Sequence, residues 1–268
     1  MLKNTNQNAS WRTSDSSIFF IIKLKCKGNP KTRTCKCVFL LFPNGSIVNI
    51  QESINWLQKT IPYHVGIVAV SKTKPVSAIM EAYVAGQRIF GENKVQELVM
   101  KQAQLPSDIE WHFIGHLQTN KVRYIAPFIG LIQSMDSLKL LDEINREAIK
   151  NNRIIDCLLQ FHIASEDTKY GLNITEAEGI LESELYPQLK NIRIAGVMGM
   201  ASFSDDHMLV RREFKSLHDN FMCLKSNYFS QADFFRHISM GMSGDYMIAI
   251  EEGSTLIRPG TIIFGDRK

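Results

Sequence analysis

The sequence predicts a single (β/α)8 barrel, and three observations favour this fold class. Short apolar segments with strand character alternate with segments of helical spacing, as in a parallel sheet joined by right-handed helical crossovers. Eight such units fit into residues 46–268, which is the length that this barrel needs. The first strand, within residues 64–73, is apolar at nearly every position from Val65 to Val70. This is expected of a strand that is covered on both faces.

An open, doubly wound sheet is the alternative, because it shows the same alternation of strands and helices. The sequence contains no internal repeat beyond the strand–helix unit, and no second domain is visible within residues 46–268. We therefore expect one barrel, in which the carboxyl ends of all strands meet at the same face.

The individual strands are predicted from apolar, β-branched or aromatic segments that are bounded by turn residues. Pro75 ends the first strand, and apolar spacing together with stop residues such as Gly86 and Gly253 identifies the helices. The predicted strands are residues 64–73, 88–91, 110–115, 130–133, 154–163, 193–200, 235–240 and 256–258. The predicted helices are residues 76–86, 94–104, 120–125, 137–150, 175–185, 207–227 and 246–252, with Thr175 as the cap of the fifth.

Two further segments decide how the ring closes. An apolar stripe at helical spacing between Ile47 and Ile61 predicts a helix before the first strand. Residues 261–264 form a last apolar run, which we expect to continue strand eight. No helix is then predicted after strand eight, so the helix before strand one is expected to take its place in the ring.

Residues 1–45 differ from the rest and are predicted to be a poorly ordered, basic extension. They are rich in Asn, Ser, Thr and Lys, and their apolar runs, 18–22 and 38–42, are too short to span a membrane. The first run resembles the apolar part of a weak signal peptide, but lysines follow it and a cleavage pattern does not. Translation from an upstream start is the alternative interpretation of this stretch.

Charge and cysteine content restrict the possible functions. Residues 1–46 carry eight basic side chains and one acidic one, whereas the remainder holds 23 basic and 26 acidic ones. The body is mildly acidic, which does not favour a nucleic-acid surface. Five cysteines without framework spacing indicate a reducing, cytoplasmic setting. Cys26, Cys35 and Cys37 match no standard zinc spacing, so no metal is expected.

Residues with reactive or ligand-binding side chains collect where the predicted strands end. Lys72 follows the first strand beside apolar residues, and desolvation of an amine there favours a Schiff base with a carbonyl ligand. For this lysine alone, an ordinary solvated position is the simpler interpretation. The other candidates at strand ends are Asn93, His112, Lys169, Met200, Ser243 and Arg258.

Two Gly-containing turns are suited to bind a phosphate. Residues 241–245 lead into a helix, so backbone N–H groups and the Ser243 hydroxyl can face an anion. Gly260 and Thr261 follow strand eight, and Gly260 lets the backbone approach a ligand closely. Either turn alone could be an ordinary turn, but the loops after strands seven and eight are the usual phosphate site of this barrel.

A lysine after strand one and a phosphate site after strands seven and eight suit a phosphorylated aldehyde. Pyridoxal 5′-phosphate meets both requirements. Arg258 would then be the partner of the pyridine nitrogen, and since a guanidinium cannot accept the ring proton, the ring would stay unprotonated. This weakens the electron sink that carbanion chemistry needs.

Four dense motifs surround these candidates. They are Val70-Ser71-Lys72-Thr73-Lys74-Pro75, Phe90-Gly91-Glu92-Asn93-Lys94-Val95-Gln96-Glu97, Trp111-His112-Phe113-Ile114-Gly115-His116-Leu117-Gln118-Thr119-Asn120-Lys121 and Gly241-Met242-Ser243-Gly244-Asp245. Together they resemble the pyridoxal phosphate homeostasis protein family, also called proline synthase co-transcribed homologue. The resemblance covers residues 46–268 and implies a barrel related to the N-terminal domain of alanine racemase.

The resemblance also implies roles for single residues. Lys72 would form the Schiff base. Ser243, Gly260 and Thr261 would hold the phosphate, and Arg258 would lie near the pyridine nitrogen.

Four other positions complete the candidate site. Lys74 and Lys169, which match family motifs, would be auxiliary lysines that help cofactor exchange. We add Asn93 and Met200 to the cofactor-binding candidates because they stand at strand ends. One departure from the family is Lys94, where many members have tyrosine, and it puts little in doubt.

His112 is the strongest candidate for a general base in the sequence. A histidine between Trp111 and Phe113 in a strand is, however, more often packed and hydrogen-bonded. We therefore keep His112 as an auxiliary candidate only and assign no catalytic residue.

Two functions from different classes fit these residues. The first is a carrier that binds pyridoxal phosphate, buffers it and delivers it to apo-enzymes; the second is a fold-III amino-acid racemase. Racemisation needs a base on each face of the cofactor, and related racemases take the second base from a β domain that has no counterpart in this sequence. We therefore expect a monomeric cytoplasmic carrier and not an enzyme, with neither nucleic acid nor membrane as a partner. Binding of another phosphorylated metabolite is a third possibility.

Overall fold

The computed structural model describes residues 20–24, 35–39, 49–165 and 170–266. The chain divides into two compact units, Met1–Ile47 and Val48–Lys268. In the first unit, β1 (Phe20–Leu24) pairs antiparallel with β2 (Cys35–Phe39), with Phe20 opposite Phe39. Most of the stretch that was predicted to be a poorly ordered extension lies outside the described residues.

The second unit is a ring of parallel strands. They are β3 (Gly66–Ile67), β4 (Ala69–Val70), β5 (Ile89–Glu92), β6 (Glu110–Phe113), β7 (Leu131–Met135), β8 (Ile155–Phe161), β9 (Ile192–Gly199), β10 (His237–Ser239) and β11 (Leu256–Ile257). Their order in the sheet is β3-β11-β10-β9-β8-β7-β6-β5-β4.

The ring closes because β3 and β4 are two segments of one strand, separated only by Val68. β3 pairs with β11, and β4 pairs with β5. The N–H of Val68 donates to the carbonyl of Ile257 at 2.9 Å, which continues the pairing with β11 between the two segments. The described strands therefore occupy eight positions, and the predicted (β/α)8 barrel is confirmed over the open sheet.

Helices follow the strands around the outside of the ring. They are α1 (Ile50–Thr60), α2 (Val76–Val84), α3 (Val95–Gln102), α4 (Val122–Ile125), α5 (Leu138–Lys150), α6 (Ile174–Leu181), α7 (His207–Asn227), α8 (Tyr246–Glu251) and α9 (Thr261–Phe264). Within the described parts of the chain, none of the helices combines the length and apolar character that crossing a bilayer requires.

Several helices begin at a side chain that accepts a backbone N–H, which satisfies a donor that the helix itself leaves unpaired. Asn49 and Ser137 do this for α1 and α5. The prediction that Thr175 caps the next helix is wrong. Asn173 is the cap, because its side chain and that of Glu176 each accept the other residue's backbone N–H, forming a capping box.

Residues 261–264 were predicted to continue strand eight, and this prediction is also wrong: they form α9. The carbonyl of Gly260 accepts the N–H groups of Ile263 and Phe264. The Ser243 hydroxyl accepts the N–H groups of Gly260 and Ile262 at 3.1 and 3.4 Å. These bonds turn the chain into a helix, and a helix therefore follows strand eight. α1 packs against both α2 and α9.

The barrel interior holds both apolar and polar side chains. Side chains two residues apart on a strand share a face. Leu131 and Leu256 belong to the smaller of two apolar clusters. Gln133 and Arg258, two residues further towards the carboxyl ends, are also buried. Gln133 and Arg258 therefore place polar groups between this apolar cluster and the face where the strands end.

We predict that Gly196→Ala destabilises the barrel by about 3 kcal/mol or more, through backbone strain and overpacking. Gly196 has a φ of +150°, and a Cβ there would lie 1.9 Å from the carbonyl oxygen of His237. It stands opposite Leu158, where the register between β8 and β9 shifts. Urea unfolding of the purified variant measures the change.

Gly179→Ala is the matched control. Gly179 lies within α6, and a Cβ there meets no atom within 4 Å. We expect this variant to be as stable as the wild type or more stable by up to about 1 kcal/mol. Equal stability of Gly196→Ala and the wild type would contradict the assigned strain.

Candidate functional site

A cavity of about 520 Å³ opens where the strands end. Eight of the ten predicted site residues line it: Lys72, Lys74, Asn93, Met200, Ser243, Arg258, Gly260 and Thr261. They come from distant parts of the sequence and meet because parallel strands present their carboxyl ends on one face of a barrel. Lys169 lies outside the described residues, and His112 is not among the lining residues.

Hydrogen bonds to two glutamate side chains fix the loop that carries Lys72. The Ser71 hydroxyl donates to Glu92 Oε1 at 2.6 Å, and the Thr73 N–H donates to Glu97 Oε1 at 2.6 Å. Thr73 has a φ of +66°, an unusual conformation for a residue with a Cβ. Contacts on both neighbours therefore determine the backbone position of the half-buried Lys72.

A buried ammonium group joins these contacts. Lys101 Nζ donates to the carbonyl of Ser71 at 2.8 Å and to Glu92 Oε1 and Glu97 Oε1 at 2.7 Å each. Burial raises the pKa of Glu92, and its hydrogen bonds with Lys101 and Ser71 oppose that rise. Sequence reasoning missed this cluster, although Glu92 and Glu97 stand in one of the quoted motifs.

The ammonium group of Lys74 is hydrogen-bonded to backbone carbonyls. Its Nζ donates to the carbonyl oxygens of Phe264, Gly265 and Asp266, at 2.9, 3.0 and 2.9 Å. These carbonyls belong to the last residue of α9 and to the two residues after it, and a cation is favourable at the carboxyl end of a helix. Lys74 thus ties the loop after strand one to the segment after strand eight.

The two turns that were predicted to bind phosphate are hydrogen-bonded to each other. Besides the Ser243 contacts described above, the N–H of Arg258 donates to the carbonyl of Gly241 at 2.8 Å. The N–H of Met242 donates to Asp245 Oδ1 at 2.5 Å. In its contacts with Gly260 and Ile262 the Ser243 hydroxyl only accepts, so its own proton can be donated to a ligand.

The guanidinium of Arg258 is buried at the floor of the cavity. Nη1 donates to Ser239 Oγ at 2.6 Å, and Nη2 donates to the carbonyl of Gly199 at 2.8 Å. Burial lowers the pKa of Arg258 to about 10, while the nearby charge of Asp245 opposes the fall. The guanidinium is therefore still a cation at neutral pH. It also carries N–H donors beyond the two used in these contacts.

His112 packs inside the barrel below the cavity. It is 2% exposed, and its ring nitrogens lie 2.9 Å from Glu110 Oε1 and 2.9 Å from Gln133 Nε2. Both nitrogens are engaged by neighbours, which is the arrangement of a packed, hydrogen-bonded histidine.

Eleven of the lining residues were not among the predicted site residues, and four of them have polar or aromatic side chains outside the turns already described: His116, Gln160, Tyr170 and Phe203. The rings of His116 and Tyr170 stack with centroids 4.6 Å apart, and His116 Nδ1 lies 3.4 Å from Asp136 Oδ2. Gln160 Nε2 donates to the carbonyl of Tyr170 at 2.9 Å. His116 belongs to a quoted motif, and the other three had no signal beyond lying near a strand end.

A carboxylate on α7 holds two loops beside the cavity. Glu213 accepts the N–H and hydroxyl of Ser165, both at 2.9 Å, and those of Ser202 at 2.7 and 2.8 Å. Burial alone would raise the pKa of Glu213, but the bonds from Ser202 and Ser165 outweigh it and lower this pKa. Glu213 therefore stabilises the ends of β8 and β9 in its ionised form.

No cluster of three or more His, Cys, Asp or Glu side chains suited to a metal ion occurs among the residues that the structure describes. The chemistry of the lined cavity accordingly consists of an amine, a hydroxyl, backbone N–H groups and a guanidinium. These groups bind anions and carbonyl compounds.

Comparison with known proteins identifies the group to which the chain belongs. Residues 46–268 match the family described as "Alanine racemase, N-terminal domain". The pyridoxal phosphate homeostasis protein of Aquifex aeolicus (strain VF5) is 39% identical over 203 residues, which are 75% of this chain and 87% of that protein. The human protein of the same name is 37% identical over 214 residues, 75% of this chain and 76% of its own length.

A solved structure of PipY from Synechococcus elongatus PCC7942 with PLP bound is similar throughout the barrel. It has a TM-score of 0.70 at 35% identity and covers 81% of this chain and 100% of its own. The chain is thus a barrel protein of the alanine racemase N-terminal type. It belongs to the pyridoxal phosphate homeostasis protein family.

We predict that Lys101→Met destabilises the protein by about 3–5 kcal/mol, because it leaves the buried Glu92 carboxylate without its cation. Lys215→Met is the control, since Lys215 pairs with Asp219 on the surface with both side chains more than half exposed. That exposed pair is worth less than about 1 kcal/mol. Unfolding in urea compares the two variants, and equal losses would refute a special role for Lys101.

Glu213→Gln is predicted to change how stability depends on pH. The folded-state pKa of Glu213 is lowered, so its contribution is present above the unfolded-state pKa and is lost as pH falls through the folded value. At neutral pH the variant should lose about 1–3 kcal/mol. Below about pH 4, the unfolded-state value for glutamate, the gap to the wild type should shrink.

The measurement is the melting temperature of both proteins between neutral and acid pH. Glu81→Gln, at an exposed position on α2, is the control and should follow the wild-type curve. A gap between Glu213→Gln and the wild type that stays constant down to low pH would contradict the prediction.

Proposed function

We propose that this chain binds pyridoxal 5′-phosphate as a Schiff base on Lys72, and that it buffers the cofactor and delivers it to other proteins. The observation that carries the proposal is one shared cavity. An amine, a pair of hydrogen-bonded turns and a buried guanidinium all line it. PipY, at 35% identity, has been solved with PLP bound, and relatives are named pyridoxal phosphate homeostasis proteins.

The residues present fit this cofactor. The cavity of about 520 Å³ lies in the usual range for small-molecule sites. A Cβ on Gly260 would lie 3.4 Å from the carbonyl oxygen of Val70, which is ordinary van der Waals contact. Around Gly244, in contrast, a Cβ would meet no protein atom within 4 Å. The turn therefore leaves room for an anion beside the Ser243 hydroxyl.

When bound, the cofactor supplies an aldehyde that condenses with an amine and releases water. The Lys72 amine is the proposed partner, placed by Ser71 and Thr73. Ser243, together with the backbone of Gly260 and Thr261, would bind the phosphate. Asn93 and Met200, also at the cavity wall, would border the ring.

Arg258 would donate a hydrogen bond to the pyridine nitrogen. With a pKa of about 10, its guanidinium keeps its proton at neutral pH. It therefore donates without protonating the ring, and the ring remains a weak electron sink. Such a site suits storage of the cofactor better than turnover of amino acids.

A racemase is the alternative, and the match to the alanine racemase N-terminal domain favours it. Racemisation needs two bases on opposite faces of the cofactor. Lys74 is a poor second base, because its ammonium donates to three carbonyls. His116, stacked on Tyr170 beside Asp136, is the remaining imidazole among the described lining residues.

The proposal extends to partners and location. Apo-enzymes that use the cofactor are the proposed recipients, and the chain would act as a monomer in the cytoplasm. Lys169, in the loop between β8 and α6, and Lys74 would assist exchange of the cofactor. Breaking the Lys74 contacts with the segment after α9 would open the cavity edge.

The test is reconstitution of the purified protein with pyridoxal phosphate. We expect a visible Schiff-base absorbance that borohydride removes, with the added mass on the peptide that contains Lys72. Lys72→Ala should lose the band and the mass, whereas Lys59→Ala, at an exposed position on α1, should keep both. Absence of the band in the wild type would refute cofactor binding.

A second measurement separates carrier from enzyme. The loaded protein is mixed with an apo-enzyme and, separately, with L- or D-alanine. Activation of the apo-enzyme without racemisation supports the carrier. Racemisation within seconds would overturn it in favour of the racemase.

A further inference from the structure

A chain of hydrogen bonds crosses the inside of the barrel, from the cavity floor to the opposite mouth. Arg258 Nη1 lies 2.6 Å from Ser239 Oγ, which lies 2.7 Å from Gln133 Oε1. Gln133 Nε2 lies 2.9 Å from His112 Nδ1, and His112 Nε2 lies 2.9 Å from Glu110 Oε1. We call these five residues the interior relay.

The interior relay joins opposite walls of the ring. Arg258 follows β11 and Ser239 lies on β10, whereas Gln133 belongs to β7 and His112 and Glu110 to β6. Two strands, β8 and β9, separate β10 from β7 in the sheet. The Ser239–Gln133 bond therefore bridges the barrel interior instead of following the wall.

The first four members are shielded from water, whereas the last one reaches it. Ser239 and Gln133 are 0% exposed, His112 is 2% exposed and Arg258 is 4% exposed. The side chain of Glu110 is 53% exposed. Buried polar groups depend on each other for their hydrogen bonds, so the hydrogens in this chain have few possible arrangements.

The two ends determine the direction of every bond. A guanidinium only donates and an ionised carboxylate only accepts. Ser239 therefore accepts from Arg258 and donates to Gln133 Oε1, so that the amide nitrogen of Gln133 faces His112. His112 Nδ1 must accept, and its proton must lie on Nε2, where it donates to Glu110. The interior relay is satisfied when His112 is the neutral Nε2–H tautomer.

The reverse arrangement costs a hydrogen bond. If the amide of Gln133 turned round, its nitrogen and Arg258 would both donate to Ser239 Oγ. The Ser239 hydroxyl would then have lost the acceptor that it has in Gln133. A buried donor without an acceptor is unfavourable, so the relay holds one direction.

The groups around the lower end do not disturb this direction. His237 is a further titratable group that acts on Glu110, with Arg236 and Asp156 close to it. Burial, with the nearby charge of Arg236, lowers the pKa of His237 to about 4, so it is neutral at pH 7. The hydrogen bond from His112 lowers the pKa of Glu110, which keeps the terminal acceptor ionised.

Arg258 takes no carboxylate partner within the described parts of the chain; its contacts there are the neutral oxygens of Ser239 and Gly199. A directly paired carboxylate would occupy two donors of the fork. The interior relay instead uses one Nη1 hydrogen and connects it, through polarised hydrogen bonds, to a carboxylate at a distance. The remaining N–H donors of the guanidinium take no part in these contacts.

We propose that Ser239, Gln133, His112 and Glu110 are positioning residues that orient Arg258 as a donor to the pyridine nitrogen of the bound cofactor. This inference rests on the proposed function. None of the four residues lines the cavity, and they act only through Arg258. His112 is thereby a neutral link and not a base.

The first test needs no cofactor. Nitrogen-15 NMR of histidine-labelled, ligand-free protein at neutral pH reports which ring nitrogen of His112 carries the proton. His112→Gln assigns the resonances by their disappearance. We expect the Nε2–H tautomer, and an Nδ1–H tautomer or a doubly protonated ring would overturn the proposal, whether or not the protein binds the cofactor.

The second test follows the ring nitrogen of pyridoxal phosphate labelled with nitrogen-15. Gln133→Leu should still form the Schiff base, but the pyridine resonance should shift and cofactor release should be about tenfold faster, as expected from a weakened hydrogen bond to a charged group. Ser134→Ala is the matched control. Ser134 is the buried neighbour of Gln133 on β7, and its hydroxyl has no hydrogen-bond partner among the described residues.

The side chain of Glu110 is about half exposed, so substituting it does not change the packing of the core. Glu110→Ala removes the terminal acceptor, and Glu110→Gln restores one. We expect the His112 tautomer signal and the pyridine resonance to change in Glu110→Ala and to return towards wild type in Glu110→Gln. Schiff-base formation with identical resonances in wild type, Gln133→Leu and Glu110→Ala would refute the relay and leave the proposed function standing. Failure of the wild type to bind the cofactor would refute the function instead.

Discussion

The site depends on the seam at which the barrel closes. The end of strand one is bonded on both sides: Val70 N–H donates to the carbonyl of Pro259 at 2.9 Å, and Ser71 N–H donates to that of Gly91 at 3.0 Å. The first bond brings the loop of Lys72 beside the turn that contains Gly260. Residues that are far apart in the chain thus become neighbours, and Lys74 binds across the same seam to the segment after α9.

Two buried cations near this seam are stabilised in different ways. Lys101 lies between Glu92 and Glu97, so its charge is compensated locally and its bonds serve to hold the loop. Arg258 has neutral oxygens as its contacts, and the nearby charge of Asp245 favours its ionised form. Burying a charge is costly unless it is paired or hydrogen-bonded. The first arrangement gives rigidity, and the second leaves donors for a ligand.

The sequence predicted the strands and long helices well, because their signals are local. The helix His207–Asn227 was predicted at its observed bounds, and the structure shows that the Asp206 side chain caps it. Thr261–Phe264 was predicted as strand, because a run of four residues with three apolar side chains fits either state. What decides for a helix is the Ser243 hydroxyl, which lies on a different loop. A hydrogen bond between residues of two different loops cannot be predicted from the local sequence pattern.

The same division applies to the site. The sequence by itself determined the barrel, the amine at the end of strand one and the turns at strands seven and eight, since each follows from residue type and position in a repeating unit. Only the tertiary structure decided what surrounds Lys72: the Lys101 cluster beneath its loop and the hold of Lys74 on the segment after α9. It also placed His112 within a hydrogen-bonded chain that ends at Arg258. These arrangements depend on side chains meeting across the ring, where direction and distance matter and sequence separation does not.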